Sequence, residues 1–252
     1  MRFATVSLAV LLAVNAGAAT VDWSRVLWVG AHPDDEALVA PILGQRCARG
    51  SECSMLVMTE GENGLCDRVP SCAALPSVRA AEMRAAAARL RSSLTQWTLP
   101  DAFAGVAAEW DARSGGHDAL VANVAAVIRA FAPTVILTFD PVHGSSCHPA
   151  HRATGQLVTE AAAPLGVPVF YVETAYATND EGFVFFDAIE PTADEIDLSA
   201  VATWKWLLFD IKTHHSQFSA NDIRSLTRVP FDEKRVRLLP AGTSVTYVLR
   251  CP

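Results

Sequence analysis

One imidazole and three carboxylates lie within a short stretch near the start of the chain, at His32, Asp34, Asp35 and Glu36. His32 and Asp35 are three positions apart and can turn toward one point, which leaves Asp34 facing a different direction. Imidazole and carboxylate groups bind zinc, and a hydrolytic zinc site also needs a base that does not touch the metal. The stretch therefore predicts two metal ligands and one general base.

Two further imidazoles, His148 and His151, occur far downstream. Because a catalytic zinc usually takes three protein ligands and keeps one position for water, we assign His32, Asp35 and His151 as ligands. Asp34 is then free to take a proton from that water. His148 would stabilise the tetrahedral oxyanion or protonate the leaving amine. This ligand set suits zinc best, with iron, cobalt and manganese as alternatives.

Both groups of candidate residues follow apolar runs that have the composition of buried strands, at 25–30 and 134–139. Open α/β sheets bind ligands at the carboxyl ends of their strands, so both groups are expected at one edge of one sheet. Further strands are predicted at 54–59 and 167–172, a short edge strand at 97–100, and helices at 37–49, 78–94, 117–131 and 152–163. This alternation predicts an α/β fold with a parallel, doubly wound sheet.

The pattern changes beyond residue 173, where strands are predicted at 182–186 and 244–249 and a helix at 198–213. We interpret residues 20–252 as one domain, of which residues 173–252 form an α+β cap packed on the same sheet. His214 and His215 follow the predicted helix. We expect them to cap it and to interact with its negative end, with substrate contact as the alternative.

Residues 1–20 carry the three-part pattern of a secretory signal peptide. Arg2 supplies a positive start, residues 6–14 an apolar core, and residues 16–18 a small-residue cleavage pattern. We expect removal of residues 1–19 and a secreted or periplasmic protein without stable membrane insertion. The segment is too short to favour a membrane span, and an N-terminal core helix is the alternative.

Composition restricts the partners of the chain. Its 252 residues are 51% hydrophobic and carry a net charge of -7, which suits a folded domain and argues against nucleic acid or an anionic membrane as the main partner. Its six cysteines fit an oxidising compartment. Cys47 and Cys53 bracket one short loop, Cys66 and Cys72 bracket another, and two cysteines remain, at 147 and 251. The sequence leaves the connectivity open, and a cysteine zinc site is disfavoured because no CxxC pair occurs.

Taken together, these motifs resemble the LmbE-like (PIG-L) N-acetylglucosaminyl deacetylase family. The resemblance is carried by AHPDDE at 31–36, TEGENG at 59–64, Arg79 with Glu82, HPAH at 148–151 and HHSQ at 214–217. It implies a Rossmann-like fold, one zinc ion on the ligands assigned above, and Asp34 as general base. It also implies hydrolysis of an N-acetyl group from a glucosamine conjugate, with Arg79 and Asp101 as sugar contacts.

The chain departs from the family pattern in two places. Family members commonly have HPDH, in which the aspartate can charge the neighbouring histidine, whereas this chain has Ala150. We therefore expect a lower pKa for His148 or a different partner for it. Several relatives also have a tyrosine in the preceding loop, where this chain has Ser145, Ser146 and Cys147.

Two other functions fit parts of the pattern. A metal phosphoesterase also uses clustered aspartates and histidines, but it typically binds two metals and needs more carboxylates than these loops provide. A non-catalytic glycan-binding protein could keep the same fold. Loss of Asp34 or of a ligand would have indicated that second alternative, and all four residues are present. The sequence does not specify the acyl group or the oligomeric state.

Overall fold

The protein folds around a single large β-sheet. Its computed structural model describes residues 21–179, 182–187, 196–197, 205–228, 236–247 and 251. The predicted signal peptide at 1–19 lies outside these residues, as do 198–204 of the predicted helix at 198–213 and 248–249 of the predicted last strand.

The sheet contains five parallel strands: β1 (Arg25–Gly30), β2 (Glu52–Thr59), β3 (Ser92–Leu99), β4 (Val135–Phe139) and β5 (Val169–Val172). A separate hairpin follows, of β6 (Thr174–Asn179) and β7 (Gly182–Asp187). The short strand β8 (Ile196–Asp197) and β9 (Arg237–Pro240) then extend the main sheet in antiparallel direction beside β5. The resulting order is β3-β2-β1-β4-β5-β9-β8. Its first five positions confirm the predicted doubly wound, Rossmann-like sheet.

Within the described residues the α-helical segments are α1 (Ala40–Ala48), α2 (Leu75–Arg89), α3 (Val106–Ser114), α4 (His117–Phe131), the single turn α5 (Gly144–Cys147), α6 (Pro149–Ala162), α7 (Lys205–Thr213) and α8 (Ala220–Leu226). Helices α1 and α2 contact α7, whereas α3, α4 and α6 contact one another. Right-handed crossovers place the helices of the two halves on opposite faces of a doubly wound sheet. The last part of the described chain adds the helices α7 and α8 and two strands of the main sheet, of which β8 lies at its edge.

Several predicted boundaries are wrong. The helix predicted at 78–94 ends at Arg89, because Arg91 has φ 54 and its left-handed backbone breaks the helix. Strand β3 then begins at Ser92, well before the predicted short edge strand at 97–100. Residues 244–246 of the predicted last strand form no strand, and β9 pairs with β5 instead. The apolar runs and helical spacing give no indication of α3, α8 and β6.

The two central strands, β1 and β4, are formed by continuous apolar sequence, which favours a position in the middle of the sheet. In β1 every residue after Arg25 is buried, and all of β4 is buried, as expected for strands covered by helices on both faces. Trp28 and Phe139 are fully buried and pack edge to face, with ring centroids 5.3 Å apart. None of the described helices is long and apolar enough to span a bilayer.

Helix α6 packs closely on the sheet at Gly155, and a substitution there tests this packing. A Cβ atom at this position would lie 2.2 Å from the carbonyl oxygen of Phe139, at the end of β4. Because backbone cannot move aside cheaply, we expect Gly155→Ala to lower the free energy of unfolding by about 2–3 kcal/mol. Urea denaturation measures the loss. Gln156→Ala, at the next and exposed position, should change stability little; equal stability of both variants would contradict the packing described here.

Three disulfide bonds are present, between Cys47 and Cys53, Cys66 and Cys72, and Cys147 and Cys251. The first two close the short loops that the sequence indicates. The third joins residues 104 positions apart and attaches the chain at Cys251 to the segment just before His148. A bond across so long a loop restricts the unfolded chain strongly.

Candidate active site

The candidate residues meet at the point where the strand order of the sheet reverses. Strands β1 and β4 are neighbours, but the chain proceeds from β1 toward β3 on one side and from β4 toward β5 on the other. The loops that follow these two strands diverge and leave a crevice at their carboxyl ends, which is where such sheets bind ligands. His32 and Asp35 follow β1, while His148 and His151 lie after β4 at the start of α6.

His32, Asp35 and His151 come together in this crevice. His151 Nε2 lies 3.1 Å from Asp35 Oδ1, and His32 Nδ1 lies 3.5 Å from Asp35 Oδ2. All three are at most 8% exposed. Two imidazole nitrogens and a carboxylate facing one another across such distances form the donor set of a zinc site. The residues present therefore fit the predicted metal.

The remaining nitrogen of each imidazole has a partner that fixes the orientation of the ring. Asp101 Oδ1 lies 3.0 Å from His32 Nε2, and the carbonyl oxygen of Gly144 lies 3.0 Å from His151 Nδ1. With protons on these outer nitrogens, the lone pairs of His32 Nδ1 and His151 Nε2 face Asp35. Carboxylate and carbonyl partners of this kind are the usual supports of metal-binding histidines.

His32, Asp35 and their neighbours strongly affect one another's pKa values. Burial lowers the pKa of His32, but the carboxylates of Asp35 and Asp101 outweigh it and raise that pKa to about 10. Burial likewise favours the neutral form of Asp35, yet His151 and His32 hold its pKa well below the ordinary carboxyl value. The amides of Ala31 and His32 donate to Asp35 Oδ2, at 2.8 and 2.7 Å. Because a metal binds the neutral form of an imidazole, a cation held here would displace the extra proton from His32.

Asp34 lines the cleft, whereas Asp35 is not among its lining residues. The side chain of Asp34 is 18% exposed, and its Oδ1 forms an ion pair with Arg79 at 3.0 Å. Its backbone has φ 113, a left-handed conformation that a residue with a side chain rarely adopts. Burial raises the pKa of Asp34 above the ordinary carboxyl value, although Arg79 opposes this. A raised pKa brings this carboxylate closer to the pKa that an effective general base has near neutral pH.

His148 lies in the same cleft beside the other imidazoles, with ring centroids 4.7 Å from His32 and 4.8 Å from His151. Ring nitrogen atoms of all three lie within 4.8 Å of one another, so His148 is close enough to be an alternative metal ligand. Burial, together with His151 and His32, lowers its pKa to about 4. This direction agrees with the expectation from Ala150. Its Nδ1 accepts the amide hydrogen of Ala150, at 3.3 Å, which leaves the proton on Nε2.

The surrounding cleft has a volume of about 390 Å³. It is lined by His32, Asp34, Asn63, Gly64, Arg79, Asp101, Phe103, His148 and Gln217. Asn63 and Gln217 belong to the TEGENG and HHSQ motifs, but the sequence assigned neither of them a role, and Phe103 lies in none of the quoted motifs. Phe103 is 69% exposed and packs edge-on against His148, so an aromatic face borders the opening.

The two glycines of the loop after β2 make room for the guanidinium of Arg79. A Cβ at Gly61 or at Gly64 would lie 2.4 Å from Arg79 Nη1. Arg79 also donates to the backbone carbonyls of Gly61, at 2.9 Å, and Pro33. The backbone here thus approaches a side chain of the protein closely.

Arg79, Glu82 and Asp101 all make contacts within the protein. Arg79 pairs with Asp34 rather than with Glu82, whose carboxylate accepts from the amide and hydroxyl of Ser216, at 2.9 and 2.6 Å. The side chains of Arg79 and Glu82 are both buried, and each binds a neighbouring loop instead of pairing with the other along α2. Asp101 lines the cleft, but its carboxylate already binds His32 and, at 3.1 Å, the amide of Asn63. The sugar-contact assignments of Arg79 and Asp101 remain predictions.

A second polar cluster lies behind the Asp34 turn and consists of Glu36, Asp210 and His214, whose spacing in the sequence does not indicate it. These residues are 0%, 2% and 0% exposed. We expected His214 to cap the end of α7, and this prediction is wrong. The side chain instead turns inward, and its Nε2 lies 2.5 Å from Glu36 Oε1. His215 does remain at the helix end, where its Nδ1 lies 3.2 Å from the carbonyl oxygen of Thr213.

Comparison with protein families agrees with the geometry. A family described as PIG-L: GlcNAc-PI de-N-acetylase matches residues 27–162, more than half of the chain. The matched segment runs from β1 to the end of α6 and includes both loops that carry the candidate metal ligands. The HHSQ segment lies outside it.

Curated relatives include two proteins named 1D-myo-inositol 2-acetamido-2-deoxy-alpha-D-glucopyranoside deacetylase. The protein from Mycolicibacterium gilvum (strain PYR-GCK) is 32% identical over 173 residues, which cover 58% of this chain and 58% of that protein. The protein from Rhodococcus opacus (strain B4) is 31% identical over 163 residues, covering 58% of this chain and 56% of that protein. The chain thus matches less than two thirds of the length of these relatives.

Solved structures share the fold at low sequence identity. N,N'-diacetylchitobiose deacetylase from Pyrococcus horikoshii aligns with a TM-score of 0.61 and 17% identity, over 86% of this chain and 84% of that chain. The 4-carboxy-2-hydroxymuconate hydratase GalB from Pseudomonas putida KT2440 aligns with 0.64 and 17%, over 90% and 100%. Because a hydratase and a deacetylase both share the fold, the reaction has to be argued from the residues of the site.

Proposed function

This chain belongs to the PIG-L family of GlcNAc-PI de-N-acetylases, and on that premise we propose that it is a zinc-dependent hydrolase that removes an N-acetyl group from a glucosamine-type sugar. One observation carries the proposal. Two imidazoles and a carboxylate converge at the carboxyl ends of β1 and β4, beside a second carboxylate that faces the cleft. The relatives named above act on an acetamido sugar, according to their names, which supports this substrate class.

His32, Asp35 and His151 would hold the metal. When bound, a zinc ion supplies Lewis acidity, which lowers the pKa of water and polarises a carbonyl group. Asp101 and the carbonyl of Gly144 keep the two imidazoles in the orientation and tautomer that binding requires. The backbone amides of Ala31 and His32 hold the carboxylate of Asp35 in place.

Asp34 is the residue that takes the proton from the attacking water. Its carboxylate borders the cleft, while Arg79 holds Oδ1 from the side. That contact leaves Oδ2 as the oxygen that can receive the proton. The proton can then pass to the nitrogen of the leaving amine, since a general base becomes a general acid once it is protonated.

His148 is suited to donate a hydrogen bond to the amide oxygen as negative charge develops on it. Its Nδ1 already accepts from Ala150, so the neutral ring carries its proton on Nε2. A pKa of about 4 keeps the ring neutral near pH 7. Of the two roles left open by the sequence, oxyanion stabilisation therefore fits better than proton donation.

The cleft suits a small polar substrate. Its volume of about 390 Å³ lies within the usual range for small-molecule sites. Asn63 and Gln217 line it with polar side chains that bind neighbouring backbone, and Phe103 offers an aromatic surface to the apolar face of a pyranose ring. A neutral sugar also agrees with the net charge of -7, which disfavours polyanionic partners.

Release of acetate from N-acetylglucosamine conjugates tests the proposed function. The purified protein should hydrolyse such a substrate, lose activity on dialysis against EDTA and regain it with one equivalent of zinc. A chromogenic phosphomonoester serves as the parallel substrate. Hydrolysis of the phosphoester alone would support the phosphoesterase alternative, and sugar binding without hydrolysis of either would support a glycan-binding protein.

Asp101→Asn tests whether Asp101 supports His32. We expect the zinc affinity to fall about 10- to 100-fold, because the amide no longer fixes the orientation and basicity of the imidazole. A competition titration against a chromophoric chelator measures the affinity. Asp111→Asn, which alters an aspartate paired with the distant His117, is the control. If Asp101→Asn raises KM and leaves zinc affinity unchanged, the residue contacts sugar and does not support the metal.

We further propose that the mature protein acts outside the cytoplasm. The N-terminal pattern of residues 1–19 supports export, and the three disulfides support an oxidising compartment. N-terminal sequencing of the protein recovered from the periplasm or medium tests this. A blocked or intact Met1 would contradict cleavage.

A further inference from the structure

The Asp34 turn is held from behind by a buried carboxylate. Glu36 Oε2 accepts the backbone amide hydrogen of Asp34, at 3.1 Å, while Glu36 Oε1 lies 2.5 Å from Nε2 of His214. Glu36 and His214 are both fully buried, and they are 178 positions apart in sequence. A single carboxylate thus connects the proposed general base to the segment after α7.

Asp34 needs such support because of its backbone conformation. Its φ of 113 and ψ of -16 lie in a region that residues with a Cβ atom rarely occupy. Residues in such conformations persist only where the surrounding structure holds them. Arg79 binds the side chain of Asp34 and the carbonyl of Pro33, and the amide of Ala37 donates to the Asp34 carbonyl, at 3.0 Å. Glu36 is the side chain that binds the remaining polar group, the Asp34 amide.

His214 is itself immobilised by the turn that follows α7. Its carbonyl oxygen accepts the amide hydrogens of Gln217 and Phe218, each at 3.0 Å. Ser216 binds the buried Glu82 on α2, and Gln217 exchanges two hydrogen bonds with the backbone of Leu65, at 3.1 and 3.0 Å. The HHSQ segment is therefore fastened to two other elements, and His214 cannot withdraw from Glu36 without breaking these contacts.

We propose that Glu36 and His214 are positioning residues, which hold Asp34 in its left-handed conformation and so direct its carboxylate into the cleft. The proposal rests on the proposed function, because it assigns these residues an effect on the reaction through Asp34. Neither residue lines the cleft among the described residues, so neither is expected to contact substrate. The positioning of Asp34 thus depends on residues outside the cleft, which the spacing of the candidate metal ligands in the sequence does not identify.

The third member of the cluster leaves one competing interpretation. Asp210 is 2% exposed, and neither of its carboxylate oxygens has a hydrogen-bond partner among the described residues. Ligand atoms of Glu36, Asp210 and His214 lie within 4.8 Å of one another. A cation could compensate these charges. We favour positioning because Glu36 already uses both oxygens, on Asp34 and on His214.

Glu36→Gln is the decisive variant. An amide has one acceptor oxygen, so it cannot accept from both Asp34 and His214, whereas its size is unchanged. We expect kcat to fall at least about tenfold through misplacement of Asp34, with KM changed less than about twofold and one zinc still bound. His214→Gln should have the same effect by another route. His215→Gln is the matched control, since its side chain is 70% exposed and faces Glu82.

The Asp34→Asn background distinguishes positioning from a general structural role. If Glu36 acts through Asp34, the kcat of the double variant should lie within about twofold of the kcat of Asp34→Asn alone. An equal loss in both backgrounds would overturn the proposal. So would a second equivalent of zinc in the wild-type protein that Asp210→Asn removes, because the cluster would then be a cation site.

A structural readout keeps the proposal independent of activity. Crystal structures of the wild-type protein and Glu36→Gln should show Asp34 leaving the left-handed region in the variant. An unchanged φ of Asp34 would overturn the positioning role. If no N-acetylated substrate is hydrolysed, the proposed function fails, while the comparison of the two structures still decides whether Glu36 holds this turn.

Discussion

Asp34→Asn should retain one zinc ion per chain and lose about 10²- to 10⁴-fold in kcat, the range expected on removal of a general base. The amide keeps the shape of the side chain and can still contact Arg79, so the cleft should stay intact. It cannot accept a proton from water. Steady-state rates of acetate release, together with metal analysis by inductively coupled plasma mass spectrometry, measure both quantities.

A matched aspartate distinguishes loss of the base from a general effect of charge. Asp118 is exposed near the start of α4, so Asp118→Asn should leave kcat and zinc content at wild-type values. Near wild-type turnover in Asp34→Asn would transfer the general-base role to another residue. Loss of zinc from that variant would instead make Asp34 a metal ligand.

His151→Ala should lose both zinc and activity. Its Nε2 faces Asp35 at 3.1 Å, and removal of the imidazole leaves only His32 and Asp35 of the assigned ligands. Loss of a supporting partner costs about 10- to 100-fold in metal affinity, and we expect loss of a ligand to exceed this. Zinc content after gel filtration and acetate release with stoichiometric zinc are the measurements.

His148→Ala is the matched histidine variant for this experiment. His148 lies three positions earlier and in the same cleft, yet the proposed mechanism gives it only a hydrogen bond to the developing oxyanion. We expect it to retain zinc and lose about 10²- to 10³-fold in kcat. If His148→Ala loses zinc while His151→Ala keeps it, the third ligand is His148, which the spacing of the three imidazoles permits.

The meeting of the two loops could be predicted from sequence because parallel strands bring their carboxyl ends to one edge. The apolar runs before His32 and before the HPAH segment identify β1 and β4, and the structure places these strands side by side. Little else is needed to bring His32, Asp35 and His151 together. The separation of Asp34 from the ligands was expected from its position between two residues that turn inward, whereas its left-handed backbone conformation was not.

Other parts of the site depend on contacts that no local pattern encodes. Asp101 supports His32 although β2 separates β3 from β1 in the sheet, and the predicted start of β3 was wrong. The pairing of Glu36 with His214 spans 178 positions. HHSQ was visible as a motif, but spacing alone does not say whether a histidine faces outward at a helix end or inward toward a carboxylate.

The disulfide between Cys147 and Cys251 has a practical consequence for anyone who produces this protein. Expression in a reducing cytosol, or purification with dithiothreitol, would detach Cys251 from the segment that precedes His148. Preparations that look pure could then differ in the fraction of correctly oxidised molecules. Secretion into the periplasm, or refolding with a glutathione couple and thiol titration of the product, should therefore precede any comparison of rates between variants.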